Sequence, residues 1–247
     1  MARRNIKLTI AYDGADYHGW QIQPGFKTIE GIITDTISSL VAQKVHVCGA
    51  SRTDAGVSAL GQAALVELNS PIPTENLARA ITDRLPRDIA VLEAVEIPWG
   101  TDIIGDVKSK LYRYTVFTGP TRPVLDVRHC WHVPRRLDVG AMTRAGGLLV
   151  GSKDFKSFAS AGDKRNNSVR TIFRCETNSN DQWVYVDIEA DGFLYNMARN
   201  IVGTLVEIGL GRWDDQKISE ILEAADRRAA GPIAPPEGLC LMWIKYD

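Results

Sequence analysis

The spacing of apolar positions changes along the chain, and each change marks an element. Residues 6–12 alternate apolar with polar or small side chains, the two-residue repeat of a strand, and Asp13-Gly14 closes the run as a turn. A loop rich in aromatic and amide groups follows, Tyr17-His18-Gly19-Trp20-Gln21-Ile22-Gln23-Pro24. Such groups can stack on bases or seal the edge of a core. Thr28 is the expected N-cap of a helix over 29–42, in which Ile29, Ile32, Ile33, Ile37 and Leu40 recur at helical spacing. Two short apolar runs, 44–48 and 63–68, read as strands on either side of a small-residue loop. A helix over 74–85, stopped by Pro86, and a strand over 89–97 complete the order strand, helix, strand, strand, helix, strand. That order is the split βαβ pattern of ferredoxin-like and RNA-recognition modules.

The second half restates the pattern with longer pieces. A strand over 110–117 precedes an insertion carrying Pro120, Pro123 and Pro134, and His129 and His132 fall in a further strand. A helix over 137–150 is followed by strands over 169–177 and 183–189, joined through the turn residues Asn178-Ser179-Asn180-Asp181. Helices over 193–210 and 214–225 and a closing strand over 239–246 end the chain. The pattern predicts an α+β protein of two βαββαβ halves, divided as 1–105 and 106–247. Their mixed, mainly antiparallel sheets are expected to meet edge to edge around a central cleft, a common place for a ligand site.

Composition narrows the class. The 247 residues are 45% hydrophobic and 24% charged, ordinary for a globular chain and unlike a disordered or fibrous one. The apolar stretches fall far short of the ~20 residues a membrane span needs, and Met1-Ala2-Arg3-Arg4 leads into a strand without the apolar core of a signal peptide. A cytoplasmic location without membrane partners is expected. The four cysteines are far apart and form no C-x-x-C pair, and only His129 and His132 are close among the histidines, so no metal site is expected. The formal net charge of -1 means that any nucleic acid must meet a local basic surface. Its candidates are Arg3, Arg4, Arg135, Arg136, Lys164 and Arg165. The polar stretch from Ala161 to Ser168 is expected to be mobile and to order on RNA.

The loop between the strands at 44–48 and 63–68 carries the strongest chemical signal. In Gly49-Ala50-Ser51-Arg52-Thr53-Asp54-Ala55-Gly56-Val57-Ser58-Ala59-Leu60-Gly61-Gln62 one acid stands two residues after an arginine and just before two backbone-permissive residues. This arrangement presents a carboxylate to a ligand that approaches the main chain, and by residue type alone it also reads as a turn. In Leu111-Tyr112-Arg113-Tyr114, alternation puts both tyrosines on one face and Arg113 on the other. A core tyrosine pair fits that pattern too. Arg199, one turn before Val202 and Gly203, is either partly buried beside a carboxylate or extended to solvent along its packed stem.

Arg52-Thr53-Asp54-Ala55-Gly56-Val57, between Gly49-Ala50 and Ala59-Leu60-Gly61-Gln62, resembles the catalytic loop of the tRNA pseudouridine synthase A family. Further matches span the chain: Tyr12-Asp13-Gly14, residues 17–24, Asp154-Phe155-Lys156-Ser157-Phe158, Arg170-Thr171-Ile172, Met197-Ala198-Arg199-Asn200-Ile201-Val202-Gly203 and Ala234-Pro235-Pro236-Glu237-Gly238-Leu239. Where the family usually has Gly and His this chain has Ser51 and Ser58, and residues 101–106 replace a Phe-x-Ala-Arg motif.

The resemblance implies the pseudouridine synthase fold and a cofactor-free isomerase that converts uridine to pseudouridine in tRNA, at positions 38, 39 and 40 of the anticodon stem-loop. It implies Asp54 as nucleophile or base, Arg199 as its ion-pair partner, Tyr112 against the target base and Arg52 in the space a flipped nucleotide leaves. It also implies a homodimer holding one tRNA across both subunits. Two other functions stay open at this point: a non-catalytic RNA-binding protein on the same scaffold, and an Asp-dependent hydrolase. The hydrolase ordinarily needs a second carboxylate that the sequence does not announce.

Overall fold

Alternation along β1 (Arg4–Tyr12) sends Ile6, Leu8 and Ile10 into the core of the computed structural model, which describes residues 3–163 and 165–246. Helix α1 (Ile29–Val41) starts where expected: the Thr28 hydroxyl accepts from the Gly31 N–H, satisfying one orphan donor of the first turn. It ends at Ala42, in the left-handed conformation. Its buried face is Ile29, Ile33 and Ile37, each worth about 1.5–3 kcal/mol of burial. β2 (Val47–Gly49) and β3 (Ser58–Leu68) flank the Asp54 loop, and α2 (Thr74–Thr82) and β4 (Ile89–Glu96) complete the βαββαβ order. β1 pairs antiparallel with both β3 and β4, and β2 pairs antiparallel with β3.

The second unit begins at β5 (Ser109–Phe117), with the two-residue β6 (Trp131–His132) parallel to it. Helix α3 (Val139–Gly147), capped by the Asp138 side chain, leads to β7 (Gly151–Asp154), β8 (Val169–Asn180) and β9 (Trp183–Ala190). Within this unit the strands run β5-β9-β8-β7, all antiparallel. Arg113 crosses from β5 to Asp187 on β9 with two parallel bonds of 2.7 and 2.8 Å. Helix α4 (Met197–Gly209) is the hydrophobic centre of the unit, with Ile201, Val202, Leu205, Val206 and Ile208 buried, and α5 (Lys217–Ala224) follows it.

The closing strand β10 (Leu239–Lys245) departs from the expected division at 105. From Cys240 onward it belongs with the first unit, where Cys240 and Leu241 run parallel to Ser58 and Ala59 of β3. In that unit the order is β4-β1-β3-β10. The α+β class and the mixed, mainly antiparallel pairing are as the pattern predicts.

Other boundaries moved for local reasons. β8 runs to Asn180, so the turn shrinks to Asp181 and Gln182, with Asp181 at a positive φ of 53°. Helix α4 starts only at Met197, because Asn196 takes a left-handed conformation instead of continuing the apolar run from Phe193. No helix among the described residues is long and apolar enough to cross a membrane.

Candidate active site

The Asp54 loop spans residues 50–57, shorter than its sequence suggests because β3 already begins at Ser58. Side-chain and main-chain groups outside the loop hold it. Gln62, fully buried on β3, accepts from the Ser51 N–H at 3.2 Å and donates to the Ser51 carbonyl at 2.6 Å. The hydroxyls of Tyr12 and Thr53 share a buried bond of 2.8 Å. The main-chain N–H of Trp20 donates to the Thr53 carbonyl, that of Gly56 to Tyr17 O, and that of Gly14 to the Ser58 hydroxyl at 3.1 Å. Gly19 sits at φ 81°, and a Cβ there would lie 2.6 Å from the Thr53 carbonyl oxygen and 3.1 Å from the Asp54 carbonyl carbon. Only a residue without a side chain lets the two loops touch. The backbone of Asp54 is thus fixed on both sides, its side chain half-buried, while Arg52 is exposed.

The aromatic loop answers its own ambiguity residue by residue. Tyr17 and Trp20 seal the core, and a Cβ on Gly49 would stand inside the Trp20 ring. The Tyr17 hydroxyl donates to Asp88 at 2.8 Å, and burial, aided by that carboxylate, pushes its pKa above the usual tyrosine range. His18, Ile22 and Phe26 are exposed.

The altered positions are built into this scaffold. Ser58 caps the Gly14 N–H, and Ser51 is buried against Gln62. In the segment that replaces the family motif, Asp102 accepts from the Ile104 N–H while Ile103 packs with Ala50 and Ala63.

In the second unit, Tyr112 is buried with its ring edge-on to Phe193, centroids 4.9 Å apart. Tyr114 is a core residue whose hydroxyl donates to the Pro235 carbonyl at 2.7 Å. Lys110 shares the strand face of Tyr112, and burial, with Arg165 as the next cause, lowers its pKa to about 8. Arg199, in the first turn of α4, is half-buried. Its Nε donates to the Ala234 carbonyl at 2.8 Å and one terminal nitrogen to Asn196 Oδ1 at 3.1 Å. Gly203 makes this possible: a Cβ there would collide with the Pro232 carbonyl, so only glycine lets residues 231–234 cross the helix. Residues 193–196 therefore touch both the Tyr112 ring and the Arg199 guanidinium.

The basic candidates divide. Arg3, Arg135 and Arg136 are exposed, and Lys164 lies outside the described residues. Arg4 is structural, donating to Thr74 and to the carbonyls of Ser70 and Ile72. Arg165 binds Asp163 through two nitrogens and the Phe193 carbonyl through a third. It holds the Asp163 carboxyl well below the usual carboxylate range, and that carboxylate also accepts the Tyr195 N–H. No group of three or more His, Cys, Asp or Glu among the described residues is arranged to hold a metal ion. Reading for catalytic types missed Gln62, although an amide inside the apolar run of β3 was a visible signal. It also left His18 and Phe26 unpaired, because nothing local says that they stack.

The first unit carries Asp54 in the loop of a βαββαβ sheet and the second carries Tyr112 and Arg199, so the chain is of the α+β class with two such units. The family model for tRNA pseudouridine synthase matches residues 8–99 and 145–247, and the chain belongs to that family. Among its relatives, the tRNA pseudouridine synthase A of Acetivibrio thermocellus is 42% identical over 243 residues, covering 98% of this chain and 100% of the relative. Those of Moorella thermoacetica and Caldicellulosiruptor saccharolyticus are 41% and 40% identical over 243 residues, with 98% of this chain and 99% and 100% of the relatives covered.

Proposed function

We propose that this chain converts uridine to pseudouridine in tRNA, just 3′ of the anticodon, with Asp54 as the acting carboxylate. The observation that carries the reading is the Arg52-Thr53-Asp54-Ala55-Gly56 string, set in a hydrogen-bonded loop within a likeness that spans nearly the whole chain.

The reaction detaches uracil N1 from ribose C1′, rotates the ring, and joins C5 to C1′. The C5 proton leaves and N1 gains one, so the change is an isomerisation with no net oxidation. Asp54 acts either by attacking C1′ or by taking a proton from the sugar to give a glycal, and both routes need its ionised form. Arg199, the partner that the family resemblance implies, would favour that form and fix the carboxylate rotamer. The resemblance gives Tyr112 the place against the target base, where an aromatic ring supplies stacking surface. A base inside a stem cannot present its sugar to a loop carboxylate, so the target nucleotide is flipped out and Arg52 occupies the vacated space. The assembly is a cytoplasmic homodimer that holds one tRNA across both subunits.

Tritium release from tRNA labelled at uridine C5 tests this reading, with modified positions mapped on the product. Release to solvent with the label lost 3′ of the anticodon is expected. Binding without release would leave only an RNA-binding protein, and free uracil would mean a hydrolase.

A further inference from the structure

Beside the Asp54 loop stands an aromatic pair that no step above uses. The rings of His18 and Phe26 lie nearly parallel, 4.1 Å apart with an interplanar angle of 20°, at the surface of the first unit. Phe26 is 54% exposed, and every residue from Gln21 to Lys27 is exposed. An apolar ring left in water at the tip of a loop stabilises the fold little, since the hydrophobic gain scales with the area removed from water.

The main chain that carries the pair is nonetheless tied down at several points. The His18 N–H donates to the Lys27 carbonyl at 2.8 Å, Phe26 donates to Gln23 O, and the Gln23 side chain reaches back to His18 O at 3.2 Å. The base of the loop is tied by Ile29 N–H to Gly19 O and by the Ile22 N–H to the Glu30 carboxylate at 2.9 Å. Its neighbour Gly19 is the residue on which a Cβ would collide with the Thr53 carbonyl and the Asp54 peptide. His18 is thus next in the chain to the glycine that packs on the Asp54 loop, and exposed cations lie on both loops: Arg52, and Lys27, whose ammonium sits 4.1 Å over the Tyr17 ring.

A flat exposed ring on a loop packed against the loop of the carboxylate, with cations for the backbone phosphates, has the chemistry of a nucleobase platform. We propose that His18 and Phe26 form a stacking subsite for an unpaired base of the tRNA next to the nucleotide that enters the active site. This rests on the synthase reading and assigns a second place where the RNA is gripped. Stacking uses the π face that every base has, so the subsite adds affinity and register without adding base specificity.

The test compares Phe26→Ala, Phe26→Leu and Phe26→Trp with the unchanged protein, using an unmodified tRNA transcript and both Kd and the kcat and KM of tritium release. The expected result is a loss of affinity of about tenfold or more for Ala and for Leu, the scale of a lost base–aromatic stack, with KM raised and kcat nearly unchanged. Trp, which keeps the ring, is expected to bind as tightly as Phe. Because Phe26 is exposed, all three variants should melt as the parent does. Wild-type affinity in Phe26→Leu, or equal losses in Leu and Trp, would overturn the subsite. Should the unchanged protein release no tritium, the synthase reading fails while the Kd series still decides the platform.

Discussion

The Asp54 loop and the elements that carry Tyr112 and Arg199 place their side chains by opposite means. Asp54 sits on irregular backbone, and its loop is set by bonds from Tyr12, Gly14 and Trp20, far ahead of it in the chain, and from Gln62 on β3. Tyr112 and Arg199 sit on a strand and a helix whose period already fixes where they point, and one or two contacts complete each: Phe193 for the ring, Ala234 and Asn196 for the guanidinium. A reactive acid must be accurate to a fraction of an ångström, and a loop attains this only when its main chain is satisfied from several sides. A strand ladder or a helical turn supplies most of that accuracy at no further cost.

That contrast can be broken at its sharpest contact. Gly19→Ala places a methyl against the Thr53 carbonyl at a positive φ, so the Asp54 loop must shift. Turnover should fall by about 100-fold, the scale of a misplacement of about 1 Å, with the overall fold retained by circular dichroism. Unchanged kinetics would show that the loop does not need its glycine.

The next effect tests the other region. Arg199→Lys keeps a charge but loses the planar fork that reaches Ala234 and Asn196 together. A fall of about tenfold or more in kcat is expected, as for a lost bond to a charged group, with tRNA affinity little altered. If kcat held and only affinity fell, Arg199 would be an RNA contact instead of a partner for Asp54.

Gln62→Leu should act on stability more than on chemistry. It leaves the Ser51 N–H and carbonyl buried without their amide partner, costing about 2–3 kcal/mol, read as a lower midpoint in urea. Equal stability would mean that water replaces the amide.

The smallest effect lies away from the site. Burial first, then Glu176, pushes the Cys175 thiol up from 9.0 to about 12. Above pH 9 the unfolded chain gives up a proton that the native state keeps, so stability present below that pH is lost as pH rises toward 12. Cys130, raised to about 11 chiefly by burial, adds to the same limb. Cys175→Ala is expected to flatten the alkaline decline between pH 9 and 11; a parallel curve would remove Cys175 as its cause.

Much of this was legible in the chain because periodicity and capping are local. The Thr28 cap, the isoleucine stripe of α1 and the alternation of β5 each announce an element without help from the rest. β7 was not visible, since Gly151-Ser152-Lys153-Asp154 is short and polar and becomes a strand only by pairing with β8. The return of β10 to the first unit is likewise a non-local pairing, for which its own residues carry no mark. At the site, the string around Asp54 could be read directly. The bonds that hold it could not, because which groups of Tyr12, Trp20 and Gln62 meet the loop is decided only when the chain has folded.

The most direct trial of the whole account is Asp54→Asn, which keeps the size and hydrogen-bonding shape of the side chain but removes its charge. Assayed with tRNA carrying tritium at uridine C5, it should bind as the parent does, melt at a similar temperature, and release label only at background, a loss of about 1000-fold or more. Turnover close to that of the parent would take the carboxylate out of the reaction and contradict the account.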